Sequence, residues 1–189
     1  MITMPLKAAE AYARKILDEL APYCERGEIA GSTRRKCPVV HDIDLVVLAS
    51  DWDGLRARAL ALSHEICSGE QVFRIETRTG VQVDIYRARR AFRDLLENRP
   101  TNFGSLLLCR TGSAAHNIML CERAKAKGWH WQPHQGLFNA KNELLASETE
   151  EEIFKALGMG FVPPEQRQWG DERGVGSEVG WEIPAGKGG

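Results

Sequence analysis

Gly31-Ser32-Thr33-Arg34-Arg35, running on to His41-Asp42-Ile43-Asp44-Leu45-Val46-Val47-Leu48, is the stretch that decides the fold. The apolar run after Asp42 predicts a strand ending near Ala49-Ser50. Residues two apart on a strand share a face. Asp42 and Asp44 therefore present two carboxylates side by side, on a strand whose other residues favour burial. Adjacent carboxylates repel and resist desolvation, and a cation between them relieves both effects. The turn before them offers Gly31, the Ser32 hydroxyl and the guanidinium groups of Arg34 and Arg35, the parts of an anion site. Together they suggest a metal-bound phosphate. Each part alone has a plainer reading: solvated acids at a strand end, a Gly-Ser linker, surface arginines.

Asp84 adds a third carboxylate. Residues 81–86 alternate, with Val81, Val83 and Ile85 on one face and Gln82, Asp84 and Tyr86 on the other. They follow another alternating run, Val72–Thr77, across Arg78-Thr79-Gly80, which reads as a β-hairpin. If that strand neighbours the first, three acids converge in an all-oxygen site of the kind hard cations prefer, Mg²⁺ or Mn²⁺. Two such ions would serve phosphoryl transfer, one activating an attacking hydroxyl and one steadying the leaving pyrophosphate. Beside the nucleophile, Asp84 is also placed to take its proton. The plain alternative is an exposed hairpin acid.

Apolar and small residues at Leu6, Ala9, Ala13, Ile16, Leu20 and Tyr23 predict a helix over residues 6–23, closed by Gly27 and Gly31. Residues 55–66 are rich in helix formers and end at Ser68-Gly69. The order helix, strand, helix, strand, strand predicts an α+β unit with helices packed on a mixed sheet. Beyond about Arg90 the pattern turns helical. A short helix is expected over 91–98, stopped by Pro100. A second, capped by Ser113, runs to a C′ glycine at Gly128. A third follows capping-box spacing at Ser147/Glu150 and Thr149/Glu152 and ends at Gly158, before Pro163-Pro164. Residues 129–139 read as irregular, with Trp129 and Trp131 as packing anchors. The expected division is 1–95, then a small mainly helical subdomain at 96–169, then a loose tail at 170–189.

In the second part, Thr111-Gly112-Ser113 precedes a helix. Gly112 would let a flat ligand approach the backbone. His116 and Asn117, one turn on, stand where a cleft could be, although surface placement is the commoner fate of such residues. His116 has no partner at metal-ligand spacing. The 189 residues carry a net charge of -1, which argues against extended nucleic-acid binding by the whole surface but not against a local basic face. Arg87, Arg89, Arg90, Arg123, Lys125 and Lys127 are the candidates for one. Five cysteines without a C-x-x-C fit free thiols in a reducing compartment. No apolar run reaches the length of a span or a signal peptide. A cytoplasmic protein without a membrane partner is expected.

In this order the motifs resemble family X DNA polymerases, the polymerase beta group. They are Gly31-Ser32-x-Arg34-Arg35, Asp42-x-Asp44, Gly80-Val81-Gln82-Val83-Asp84 and Thr111-Gly112-Ser113-x-x-His116-Asn117. Residues 124–128, Gly136-Leu137-Phe138, Glu150-Glu151-Glu152-Ile153-Phe154-x-x-Leu157-Gly158 and Val162-Pro163-Pro164-Glu165-x-Arg167 extend the likeness over residues 1–168. The first half alone indicates only the broad nucleotidyltransferase superfamily; the second selects family X. The resemblance implies a nucleotidyltransferase palm and a C-terminal subdomain that closes over the nucleotide. Asp42, Asp44 and Asp84 match the catalytic, metal-binding acids for two Mg²⁺ ions, Mn²⁺ being possible. Ser32 and Arg35, in the turn of Gly31, match triphosphate contacts, and Arg34 is the lesser candidate. Gly112 and Asn117 match positions near the sugar and base edge, with Ser113 and His116 in the same nucleotide-binding motif. The implied partners are a dNTP and primer/template or gapped DNA, bound by a monomer that extends a primer 3′ end and releases pyrophosphate.

The sequence departs from the family at Cys109-Arg110, where Tyr-Phe is frequent, at Cys121, where polymerase beta has arginine near the template, and at Val40, where a triphosphate-binding serine is replaced. Little chain precedes Gly31 and no end-trimming domain follows, so a minimal two-subdomain form is expected. An RNA, small-molecule or protein acceptor is the alternative within the same chemistry. A non-catalytic nucleotide- or DNA-binding module is the alternative outside it.

Overall fold

The computed structural model describes residues 3–69, 71–93 and 98–168. The chain begins with β1 (Met4–Pro5), α1 (Leu6–Leu20), a 3-10 turn (Ala21–Tyr23), β2 (Cys24–Ile29), α2 (Gly31–Arg34), β3 (Val39–Val40) and β4 (Ile43–Ala49). It continues through α3 (Trp52–Leu62), β5 (Ser63–Ser68), β6 (Val72–Thr77), β7 (Gln82–Arg87), β8 (Phe92–Arg93) and β9 (Asn98–Arg99). The second part holds α4 (Phe103–Thr111), α5 (Ala114–Ala126), β10 (His130–Gln132), β11 (Gly136–Phe138), β12 (Leu144–Ala146), α6 (Glu150–Ala156) and a 3-10 turn (Pro164–Gln166).

Five strands form one mixed sheet in the order β2-β4-β7-β6-β5. Only β4 and β7 run parallel, with Asp44 opposite Asp84. Alternation then sorts the side chains. Ile43, Leu45 and Val47 join Phe73, Ile75, Val83 and Ile85 on the face covered by α1 and α3, where they meet Ala9, Ala13, Ile16, Leu20, Leu55 and Ala59. Burying each such Leu, Ile or Phe contributes about 1.5–3 kcal/mol. On the other face Val46 and Tyr86 pack under Phe103, Leu106 and Leu107 of α4. That covers one end of the face and leaves the other to Asp44 and Asp84. The second part has its own core, including Leu108, Leu120, Trp131, Leu137, Ile153, Phe154 and Leu157. Trp131 is a packing anchor, as its sequence context suggests, and its Nε1 donates to Ser105 Oγ at 2.8 Å.

The α+β architecture matches the sequence reading, with four differences. Residues 24–29 form an edge strand; their charged content hides the pattern, as is common on sheet edges, where charge blocks further pairing. Helix α3 starts earlier and stops earlier than 55–66. Asp51 caps it by accepting from Gly54 N at 2.9 Å, and pairing of Ser63 with Thr77 overrides helix propensity beyond Leu62. Where a helix was expected at 91–98, Phe92 pairs with Arg99 and Arg93 with Asn98, while 94–97 lie outside the described residues. Residues 129–139 hold two strands of a three-stranded antiparallel sheet. The expected tail at 170–189 lies outside the described residues. Among the described residues, no helix is long and apolar enough to cross a membrane.

Gly104 shows how closely α4 packs against the start of α6 within the second part. A Cβ there would stand 2.3 Å from Thr149 Cα and 2.4 Å from Thr149 N, both backbone atoms that cannot swing aside. Gly104→Ala is therefore expected to destabilise the chain by about 2–3 kcal/mol, as overpacked cores do. Urea unfolding reads this as a lower midpoint at unchanged slope; an unchanged midpoint would refute the fit.

Candidate functional site

The carboxylates sit where β4 begins. Gly31 has φ of +59°, a conformation that suits glycine, and a Cβ on it would lie 1.9 Å from Asp44 Oδ2. The backbone of the Gly31-Ser32 turn thus packs directly on the acid, and Ala30 N donates to the Asp44 carbonyl at 2.8 Å. Asp42 occupies the bend before β4. Burial raises the pKa of Asp42, and the Asp84 charge adds to it. Burial, then the charges of Asp42 and Asp84, push Asp44 up to about 7, against opposing contributions from the Tyr86 hydroxyl and Arg110.

Asp84 is 2% exposed. Arg74, its cross-strand partner, donates Nε to Oδ1 and Nη2 to Oδ2, each at 2.6 Å. Gln82 Nε2 donates to Oδ1 at 3.3 Å and the Tyr86 hydroxyl to Oδ2 at 3.2 Å. Burial and the two neighbouring carboxylates raise the Tyr86 phenol far above its ordinary range, so it stays a donor. The Arg110 guanidinium stacks 4.1 Å from the Tyr86 ring centroid, and its Nη2 lies 3.3 Å from His134 Nε2.

The paired arginines face the second part of the chain. Arg34 clamps Glu150 with two hydrogen bonds, of 2.8 and 2.6 Å, and donates to Thr111 Oγ1 at 2.7 Å. Arg167 Nη1 joins the same carboxylate at 2.7 Å. Burial alone would raise the Glu150 pKa, but these guanidinium groups hold it below its ordinary value. Arg35 is buried; its Nη1 donates to the Thr111 carbonyl at 2.5 Å, and a Cβ on Gly112 would lie 3.1 Å from that nitrogen. Ser32 is half-buried on the one-turn helix α2.

Ser113 caps α5, its Oγ accepting from His116 N at 3.4 Å. Asn117 is half-buried and donates Nδ2 to the Cys109 carbonyl at 2.8 Å. His116 does not line an open cleft, contrary to its expected position. It is fully buried, 5.8 Å from the Phe154 ring, because its place on α5 turns it toward the same core as Leu120. Burial, with help from the Arg167 charge, lowers its pKa to about 4, so it is neutral at pH 7. Arg74 has no assigned role in the sequence reading, Arg110 enters it only as a departure from the family motif, and Glu150 only as a capping-box acid. Arg74 was within reach, since a hairpin turning at residues 78–80 sets it across from Asp84. Glu150 had no such signal.

Among the described residues, no three His, Cys, Asp or Glu side chains are arranged to grip one metal ion as they stand. The donor chemistry nonetheless fits a hard divalent cation: oxygen ligands only, and on Asp44 a charge that burial and two like neighbours make costly to hold. The contact of Arg74 with Asp84 shows that the site already takes a cation.

At the far end of β7 lies a cleft of about 1600 Å³. Arg56, Arg87, Arg89, Arg90 and Arg99 line it beside Trp52, Phe92 and His134, and no acid is among its described lining residues. The Arg87 guanidinium stacks 5.0 Å from the Trp52 ring. Of the other basic candidates, Arg123 is tied to the carbonyls of Leu157 and Gly158, and Lys127 lies over Trp129.

Residues 106–168 match the family model of the DNA polymerase beta thumb. A DNA polymerase/3′-5′ exonuclease PolX of Bacillus subtilis (strain 168) is 27% identical over 174 residues. The match takes in 89% of this chain but only 29% of that protein, so the chain spans under a third of its relative's length. Two structures of Leishmania infantum polymerase beta share the fold. The ternary P/T complex has a TM-score of 0.67 at 19% identity, covering 88% of this chain and 77% of its own. The ternary gap complex has a TM-score of 0.68 at 18% identity, covering 88% and 71%.

The buried charge of Asp44 has a measurable consequence. Its pKa rises from 3.8 to about 7 in the folded chain, so the unfolded carboxyl ionises first as pH rises. Without metal, stability therefore falls between those two values and stays reduced above them. Asp44→Asn is expected to stabilise the metal-free protein at pH 8 by roughly 1–4 kcal/mol, and the gain should vanish near pH 4. Urea unfolding at both pH values measures it; equal stabilities at pH 8 would remove the assigned cause.

Proposed function

We propose, for a chain that is family X DNA polymerase-like in sequence and fold, that residues 1–95 act as a nucleotidyltransferase palm and 96–169 as a subdomain closing on the nucleotide. The reaction is addition of a deoxynucleotide to a primer 3′ end on primer/template or gapped DNA, with release of pyrophosphate and a role in gap filling or repair. The observation that carries this reading is the register of Asp44 with Asp84, with Asp42 just before β4 and Gly31 packed on Asp44.

In this reading Asp42, Asp44 and Asp84 hold the Mg²⁺ ions. Bound there, such ions supply Lewis acidity and neutralise charge on the phosphates. Asp84 is the acceptor for the 3′-hydroxyl proton. Ser32, on the turn next to Asp44, holds the outer phosphates. The charge of Arg35, fixed on the Thr111 carbonyl, favours the same anions from beside Gly112. Gly112, Ser113 and Asn117 shape the nucleotide side of the α4–α5 junction. Neutral His116 supports that junction from inside the core. The clamp of Arg34 on Glu150 ties the phosphate turn to the closing subdomain.

The arginine-lined cleft supplies the track for DNA. The acceptor is the point of choice, because Arg110 stacks on Tyr86 where the family frequently has an aromatic residue. Primer/template DNA, single-stranded DNA and RNA should therefore be compared, each with deoxy- and ribonucleotides. Magnesium-dependent deoxynucleotide addition on primer/template DNA is expected, and Asp84→Ala should lower it at least about a thousandfold. Selective use of RNA, or equal activity of the variant, would overturn the proposal. For the track, Arg87→Ala should weaken DNA binding and reduce the log–log salt slope by about 1; an unchanged slope would exclude Arg87 from phosphate contact.

A further inference from the structure

Arg74 stands opposite Asp84 across the β6–β7 pair and covers both carboxylate oxygens with one planar guanidinium. A bidentate fork of this kind is among the stronger ionic contacts available to a side chain. Its two partners differ in freedom. The Asp84 side chain is 4% exposed and fixed within the sheet by Gln82 and Tyr86, whereas that of Arg74 is 40% exposed on a long flexible stem. The carboxylate cannot leave; the guanidinium has a route to water. The charge of Arg74 also bears favourably on Asp42. Removing Arg74 without replacement would leave a buried carboxylate beside two others, a costly arrangement. Replacing it with a divalent cation would not.

We propose that Arg74 is the resident counter-ion of the carboxylate site and is displaced from Asp84 when a divalent cation binds. Metal uptake is then an exchange of cations, and its strength reflects the difference between the two. This explains why the acids are not arranged as a ready metal cage although their chemistry suits one. It rests on the reading of Asp84 as a metal ligand. Arg74 is a positioning residue here: it sets where Asp84 points and what the ion must displace, and takes no part in bond making.

The test is Mn²⁺ binding to the full metal-free chain, followed by the electron paramagnetic resonance signal of free Mn²⁺. Arg74→Gln is expected to lower the dissociation constant about tenfold. Arg74→Lys, which keeps a charge but loses the fork, should fall between that variant and wild type, and Asp84→Asn should weaken binding. If Arg74→Gln does not tighten binding while Asp84→Asn weakens it, the exchange is refuted and the metal reading survives. The exchange is also refuted if Arg74→Gln tightens binding and Arg74→Lys matches wild type, since charge alone would then explain it. If Asp84→Asn binds like wild type, the metal reading falls and takes the exchange with it. A measurement on the unmutated chain guards against misfolded variants. The Arg74 Nε–H proton, held by Asp84, should lose protection from solvent exchange on Mg²⁺ addition; full protection at saturating Mg²⁺ would overturn the proposal.

Discussion

Parallel pairing of β4 with β7 sets Asp44 opposite Asp84, and the rest of that end of the sheet answers the repulsion between them. Two strands bearing apolar residues on their inner face must pair in one register for that face to meet α1 and α3. The same register forces the acids together on the outer face. The fork of Arg74, the Tyr86 hydroxyl and the nearby charge of Arg110 offset part of the strain. What is left is stored in Asp44, whose proton is held to about 7. Folding energy from the apolar face thus sustains a concentrated negative charge on the polar one.

A second network joins the two parts of the chain. Glu150 receives guanidinium groups from Arg34, on the turn beside the acids, and from Arg167, near the end of the described chain. A buried carboxylate with two such partners is strongly directional, because loss of either leaves charge uncompensated. The turn of Gly31 to Arg35 therefore cannot shift without changing how α6 and the last described residues are held. Gln168 reinforces this by donating Nε2 to the Arg35 carbonyl at 2.6 Å.

The parts legible in the sequence were those with local patterns. The strand after Asp42, the β6–β7 hairpin and the caps of α5 and α6 follow from alternation and spacing, and Thr149, not Ser147, proves to be the cap of α6. The three acids were legible as a set, but not the register that aligns Asp44 with Asp84, since forty residues of chain separate them. Edge strand β2 was hidden because Glu25, Arg26 and Glu28 break the apolar alternation, although Arg26 packs its guanidinium on the Phe103 ring. Arg34 reads in sequence as a minor phosphate contact, yet its partner Glu150 lies 116 residues away. An acid in the first turn of a capped helix looks like an ordinary complement to the helix dipole, so nothing local marks Glu150 as buried.

Helix α4 carries a last implication. Its Phe103, Leu106 and Leu107 belong to the apolar cluster over Val46 and Tyr86, while Leu108 belongs to the core of the second part. One helix is thus a wall of two rooms. Loss of either core would strip α4 of part of its apolar support, which couples the stability of the two parts. A chain cut before Phe103 would bare Val46 and Tyr86 to water and invite association through that face. The two parts accordingly meet through one packed helix and not through a free linker.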